Sequence, residues 1–319
     1  MTRNLLVFTG IAIILCACSP TNRNNRQAPP ATTANIEQLQ FPADSTAIPL
    51  TDLSRTEEGG FVLAPGFYET EFKTYCLQPG TPGPVPNDAY LQAPMSGYRK
   101  EIVETILLNS RNRPDIAQKH VQLLLWSVVS KSDFNKLSAD VRTDATQLLT
   151  PKQIFELKGG VMGVVQTISN TLPGTVMKST NDIRRMFEAG TSSYEMFEQI
   201  AVLRETVQNK LTNTNNNGQW LKQKGNYYVR HIPVNYQKIK IQVYVPAGIL
   251  DADGKSSGEY LVFDPVGLQT VPVNTNSQRL GIGGPVVDII RNVIKISKPS
   301  VPVKKLPENK KEPKVVSKT

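Results

Sequence analysis

Histidine, cysteine and long apolar runs are all scarce in this 319-residue chain, and each scarcity removes a class of function. The only two histidines are His120 and His231, and no His/Cys pair falls at zinc-ligand spacing, so no protein-built metal site and no cofactor is implied. Asp251-Ala252-Asp253-Gly254 is similar to the start of a calcium loop, but Val262 stands where the bidentate glutamate belongs, which leaves a hairpin turn. No Gly-x-Ser-x-Gly elbow and no Ser-x-x-Lys pair occurs, which removes the commonest serine-nucleophile patterns. Gly281-Ile282-Gly283-Gly284 lacks the spacing of a dinucleotide cradle. A membrane-spanning helix needs about 20 apolar residues. The run from Leu5 to Leu15 stops well short of that, and Val121 to Val129 and Val161 to Ile168 are shorter still.

What is present is unevenly distributed charge. The net +9 is concentrated after Ile290, where nine Lys or Arg face only Glu308 and Glu312, while residues 18–290 are nearly neutral. The basic character therefore belongs to a Pro/Lys tail, with Lys304, Lys305, Lys310 and Lys311 as its candidate contacts to anionic surfaces. A solvated end that only keeps the chain soluble is the plainer reading of the same lysines.

The amino terminus carries Arg3, the short apolar run and then Leu15-Cys16-Ala17-Cys18, followed by polar Ser19-Pro20-Thr21-Asn22. This layout is that of a removed secretory signal, and it resembles the lipobox of bacterial lipoproteins. The resemblance implies cleavage before Cys18, lipidation of Cys18, and a place in the cell envelope. Ser19 rather than Asp after the cysteine implies the outer membrane, facing the periplasm. Two or three acyl chains hold far more firmly than one. With Cys16 in the signal and Cys18 lipidated, only Cys76 remains, so the mature chain forms no internal disulfide and must be stabilised by burial.

Composition and periodicity divide the chain into a signal peptide (1–17), a flexible tether (18–58), an N-terminal strand with a helical domain (59–217), a small antiparallel β region (218–284), and an amphipathic segment with the basic tail (285–319). The expected fold class is α+β, a mostly helical body with a small antiparallel sheet, flanked by disordered tether and tail. Tyr68, Phe72 and Cys76 share one parity and Glu69, Glu71 and Lys73 the other, which predicts a half-buried strand with Cys76 inside. Pro79 to Asp88 reads as a stiff surface loop. Pro114 to Val129 is apolar on most sides and belongs at the centre of the helical layer. Thr150-Pro151-Lys152-Gln153 opens a helix that Gly159-Gly160 stops, and Ser192 with Glu195 opens another. Asn213 to Gly218 marks the internal boundary. Strands are expected at Tyr227–Ile232, Ile239–Val245, Tyr260–Phe263 and Leu268–Val273, and a helical turn or two at 286–294.

The leading functional expectation is a non-enzymatic envelope lipoprotein with a structural or scaffolding role. It is held to the membrane by Cys18, binds a partner protein, and contacts peptidoglycan or anionic lipid through its tail, with no nucleic-acid partner. One rival is a cell-wall enzyme with Cys76 as nucleophile and His120 or His231 as base. The parity of Cys76 argues against it, because an inward cysteine behaves as a small hydrophobe. His120 and His231 read more simply as packing residues. The other rival is a ligand- or glycan-binding module on a tyrosine-rich sheet, with Tyr228, Tyr244 and Tyr260 as contacts beside Tyr227 and Tyr236. The plainer reading of these tyrosines is strand packing.

Overall fold

The architecture follows from six strands that close on themselves. The computed structural model describes residues 36–40, 45–85, 88–159, 174–203, 219–223, 225–247, 260–273, 275–288, 293–294 and 314–316, all within one unit, residues 31–319. The strands are β1 (Gly66–Cys76), β2 (Ala89–Ala93), β3 (Tyr227–Asn235), β4 (Lys238–Val245), β5 (Gln269–Val273) and β6 (Leu280–Pro285). Their order is β4-β1-β6-β5-β2-β3, and β3 pairs again with β4, giving a six-stranded antiparallel barrel. Closure removes the unpaired edges that an open sheet of this size would expose.

The helices are α1 (Lys100–Ser110), α2 (Gln118–Val129), α3 (Ala139–Leu148), α4 (Pro151–Leu157), α5 (Gly174–Glu188) and α6 (Tyr194–Ala201). α2 buries Val121 to Val128 because its apolar residues run all the way round, and it sits in the largest core cluster with Trp126 at its heart. α4 begins with a complete capping box between Thr150 and Gln153, as its sequence requires.

The expected fold class is overturned. With 34% helix and 32% strand, the body is not a mostly helical one with a small sheet. The barrel takes β1 and β2 from the segment assigned to the helical domain and the other four strands from beyond residue 218, so both segments share one core. β2 and β6 went unforeseen. β6, Leu280-Gly-Ile-Gly-Gly-Pro, has almost no intrinsic strand preference, yet its glycines are what let α1 lie against the barrel. A Cβ on Gly281 would stand 2.8 Å from Leu107 Cδ1, and one on Gly284 would stand 3.1 Å from the Arg111 backbone.

Several smaller expectations also change. Within the segment read as tether, Leu50 and Leu53 are buried in the core, Ile48–Pro49 pairs with β1, and Arg55–Thr56 joins a second sheet. That sheet runs Leu261–Phe263, Phe61–Leu63, Arg55–Thr56, Val293–Ile294. Val293–Ile294 is thus strand where a helical turn was expected. The Pro79 to Asp88 stretch is not simply a surface loop, since Pro79, Gly80 and Thr81 are buried and Thr81–Pro82 pairs with Val202–Leu203. α2 starts at Gln118 rather than Pro114. At the other end of β3, Gln219–Gln223, Ile36–Gln40 and Lys314–Val316 extend the sheet, so parts of the expected disordered tether and tail are paired strand. The boundary at Asn213 to Gly218 and the turn at Asp251 to Gly254 lie outside the described residues.

Candidate functional site

The ladder register assigns every barrel residue to a face. Tyr68, Thr70, Phe72, Thr74 and Cys76 of β1 face inward with Ile239, Ile241, Val243 and Val245 of β4. Tyr227, Val229, His231 and Pro233 of β3 follow through the pair His231↔Ile241. Tyr90 and Gln92 of β2, Thr270 and Pro272 of β5, and Leu280 and Ile282 of β6 complete the ring. None of these inward residues is Asp, Glu, Lys or Arg. The charges stand outside, where Glu71 pairs with Lys238 at 3.0 Å and Glu69 with Lys240 at 3.5 Å.

Two apolar plugs close the interior. Cys76, Tyr90 and Leu280 merge with the helical core around Trp126 and Leu107. Tyr68, Phe72, Val229, Ile241 and Ile282 pack with Leu50, Leu53, Phe61, Leu63 and Phe263, and Phe61 meets Phe72 edge to face at 6.1 Å. Three inward polar side chains have buried atoms with no hydrogen-bond partner among the described residues: both ring nitrogens of His231, Oγ1 of Thr270 and Oε1 of Gln92. Thr270 and Gln92 are directly opposed across β5 and β2, and His231 is paired with Tyr90, two residues from Gln92. Burial alone pushes the His231 imidazole down to about 3, so it is neutral at physiological pH.

Cys76 is fully buried. The Gln122 amide brackets it: Oε1 accepts from the Cys76 N–H at 2.7 Å and Nε2 donates to the Cys76 carbonyl at 3.0 Å. Desolvation raises the thiol to about 12, with Trp126 the strongest opposing contact. Among the described residues no hydrogen bond joins Cys76 to either histidine. His120 is held elsewhere, on α2, with Nδ1 2.7 Å from Asp144 Oδ2 of α3. The two histidines and the thiol are therefore three separate sites, and a buried thiol held protonated is a poor nucleophile.

The tyrosines do not form one surface. Tyr228 and Tyr244 are cross-strand neighbours on the outer face of β3 and β4, stacked at 6.1 Å, packed with Phe67 and Trp220 and buried. Tyr260 is buried beside the second sheet. Tyr227 points inward and meets Phe263 edge to face at 6.4 Å. Tyr236, in the β3–β4 turn, belongs to a chain that residue patterns did not reveal. Its hydroxyl is 2.6 Å from that of Tyr194 and donates to Glu198, while Gln237 Nε2 donates to Tyr194 at 3.1 Å. Trp126 stacks on Tyr194 at 5.6 Å. Arg111 is a second missed anchor, bonding Asp264 at 2.8 Å and the Glu58 carbonyl. Cys18, Lys304, Lys305, Lys310 and Lys311 lie outside the described residues. Among those described, no cluster of His, Cys, Asp and Glu suits a metal ion, and no helix is long and apolar enough to cross a membrane.

No family model, no curated protein and no solved structure matches the chain.

Proposed function

We propose that the protein is a lipid-anchored scaffold of the bacterial cell envelope, held at the outer membrane by Cys18. Its barrel-and-helix body binds a partner protein, and its tail contacts peptidoglycan or another anionic surface through Lys304, Lys305, Lys310 and Lys311. The observation that carries a binding role over a catalytic one is the state of Cys76. It is the one thiol left once Cys18 is lipidated, and it is sealed between the Gln122 amide and Trp126 with its thiol pushed up to about 12. The ion-paired outer face of β1 and β4 further supports a body of little net charge, which leaves electrostatic binding to the tail.

Fractionation tests the anchor. Cys18→Ser should move the protein from membranes to the soluble fraction, and retention after a high-salt wash would refute lipid anchoring. Deleting residues 297–319, which also removes the edge strand Lys314–Val316 paired with Ile36–Gln40, should abolish salt-sensitive retention on isolated sacculi. Retention that survives the deletion would place the binding surface on the folded body.

A further inference from the structure

The shortest ladder of the barrel, between β2 and β3, runs beside a histidine whose ring has no partner among the described residues. β3 pairs with β4 from Tyr228↔Tyr244 to Asn235↔Lys238, and β4 with β1 from Lys238↔Lys73 to Val245↔Gly66. Between β3 and β2 the ladder has one pair, His231↔Tyr90, against two between β5 and β6. The reason lies in how β3 divides its edge. Residues 227–229 pair with Gln223 to Leu221 instead of with β2, which leaves a single rung to close the ring. Both ring nitrogens of His231 at that rung lack partners, and so do Thr270 Oγ1 and Gln92 Oε1 beside it. Opening the seam would give all of these groups water to bond.

We propose that the β2–β3 seam is an acid-sensitive gate, opened when His231 takes up a proton and closed when it is neutral. The groups around the ring favour only the neutral form. In the ladders His231 is paired with Ile241 of β4 and Tyr90 of β2; Thr70 of β1 lies in the same cross-barrel row, and Gln92 of β2, opposed by Thr270 of β5, is two residues along from Tyr90. The charged groups nearest by topology are occupied elsewhere. Asp88, at the start of β2, accepts from Val85 N–H and Ser277 Oγ, and Arg55 pairs with Asp288 behind Phe61. Asp88 shares the inward parity of Tyr90 and adds to the desolvation that raises its hydroxyl's pKa, but its Oδ2 is engaged by Val85 and Ser277, and no described inward residue of the six strands is a carboxylate. Once the seam opens, the ring regains its ordinary affinity for protons, near 6.5. Neutral His231 is therefore favoured closed, and the closed state loses ground as pH falls through 6.5.

Hydrogen exchange on the full chain, corrected for the intrinsic pH dependence of amide exchange, tests this. With an open-state value near 6.5, the opening equilibrium read at Tyr90 to Gln92 should rise about 100-fold between pH 7.5 and 4.5. The amides of Ile241 to Val243, paired on both sides, should not change over that range. His231→Gln keeps a polar ring-sized group without the titration and should flatten the response at β2. Should that variant not fold, the His231 ring resonance of the wild-type protein decides the matter. Protonation near pH 6.5 with β2 protection intact overturns the gate, as does a pH-independent seam in the wild type or an unchanged response in His231→Gln. Protonation that coincides with loss of β2 protection supports it.

Discussion

The helical layer and the barrel interior both bury polar side chains, and they differ in where a short side chain can find a partner. In the helices, Ser127 donates to the Leu124 carbonyl at 2.7 Å, and Ser130 donates to that of Trp126 at 2.6 Å and lies 2.7 Å from Ser132. A helix always offers a carbonyl one turn back to a short hydroxyl side chain. A closed sheet offers nothing of the kind, because its backbone groups are spent on the ladder and point along the sheet rather than into the lumen. Thr270, Gln92 and His231 must find partners across the barrel, and the neighbours they meet are mostly apolar. Thr74 escapes only because it lies at the end of β1, where its hydroxyl reaches the Tyr236 carbonyl in the β3–β4 turn. The same chain thus has a helical layer whose buried serines are bonded and a barrel in which Tyr68, Thr74 and Tyr90 reach carbonyls while Thr270 finds no partner among the described residues.

The largest expected effect tests whether the two regions are one cooperative body. Phe72→Ala empties the plug on the barrel side and Trp126→Ala the plug on the helical side. Each should cost about 3–5 kcal/mol in urea unfolding, with helix and strand signals lost together. Separate transitions would show two independently stable regions. Gln122→Leu probes the joint between them. It strips partners from the buried Cys76 N–H and carbonyl and should cost about 2–3 kcal/mol. An effect below 1 kcal/mol would mean that α2 does not clamp β1.

Alkaline pH gives a smaller effect at the same joint. The Cys76 thiol ionises near 9 when exposed and at about 12 when folded, so its contribution is complete below pH 9 and is lost as pH rises through 12. By pH 10 the loss should be about 1.4 kcal/mol, and Cys76→Ala should remove that part of the slope. A thiol reagent should likewise label the native protein slowly and the unfolded protein fast. Rapid native labelling would instead revive a catalytic role for Cys76.

What could be read from residues alone follows the range of the interactions involved. The inward parity of Tyr68, Phe72 and Cys76, the Thr150 capping box and the burial of α2 are all local, and all appear in the structure. Closure of the barrel is not local. β6 carries three glycines and a proline because α1 must approach it, a constraint invisible until Leu107 and Arg111 are seen across from Gly281 and Gly284. β2 is five residues, set between prolines at 86 and 94. The tyrosines were visible as strand residues, but parity within a single strand cannot say that Tyr228 faces outward, Tyr227 inward, and Tyr260 belongs to another sheet. His231 was legible as a member of an alternating strand. That it stands at the shortest ladder of the ring depends on β2, which was missed.

The contrast between the two regions is tested most directly by two substitutions measured side by side in urea unfolding, Ser130→Ala in the helical layer and Thr270→Val in the barrel. Ser130→Ala removes a hydroxyl that bonds Trp126 and Ser132 and should destabilise by about 1 kcal/mol. Thr270→Val keeps the shape and β-branching of the side chain while deleting a buried hydroxyl with no partner, and should stabilise by about 1 kcal/mol. Opposite signs are the predicted result. Destabilisation by both to the same extent would show that the barrel hydroxyl is bonded after all and would contradict the account.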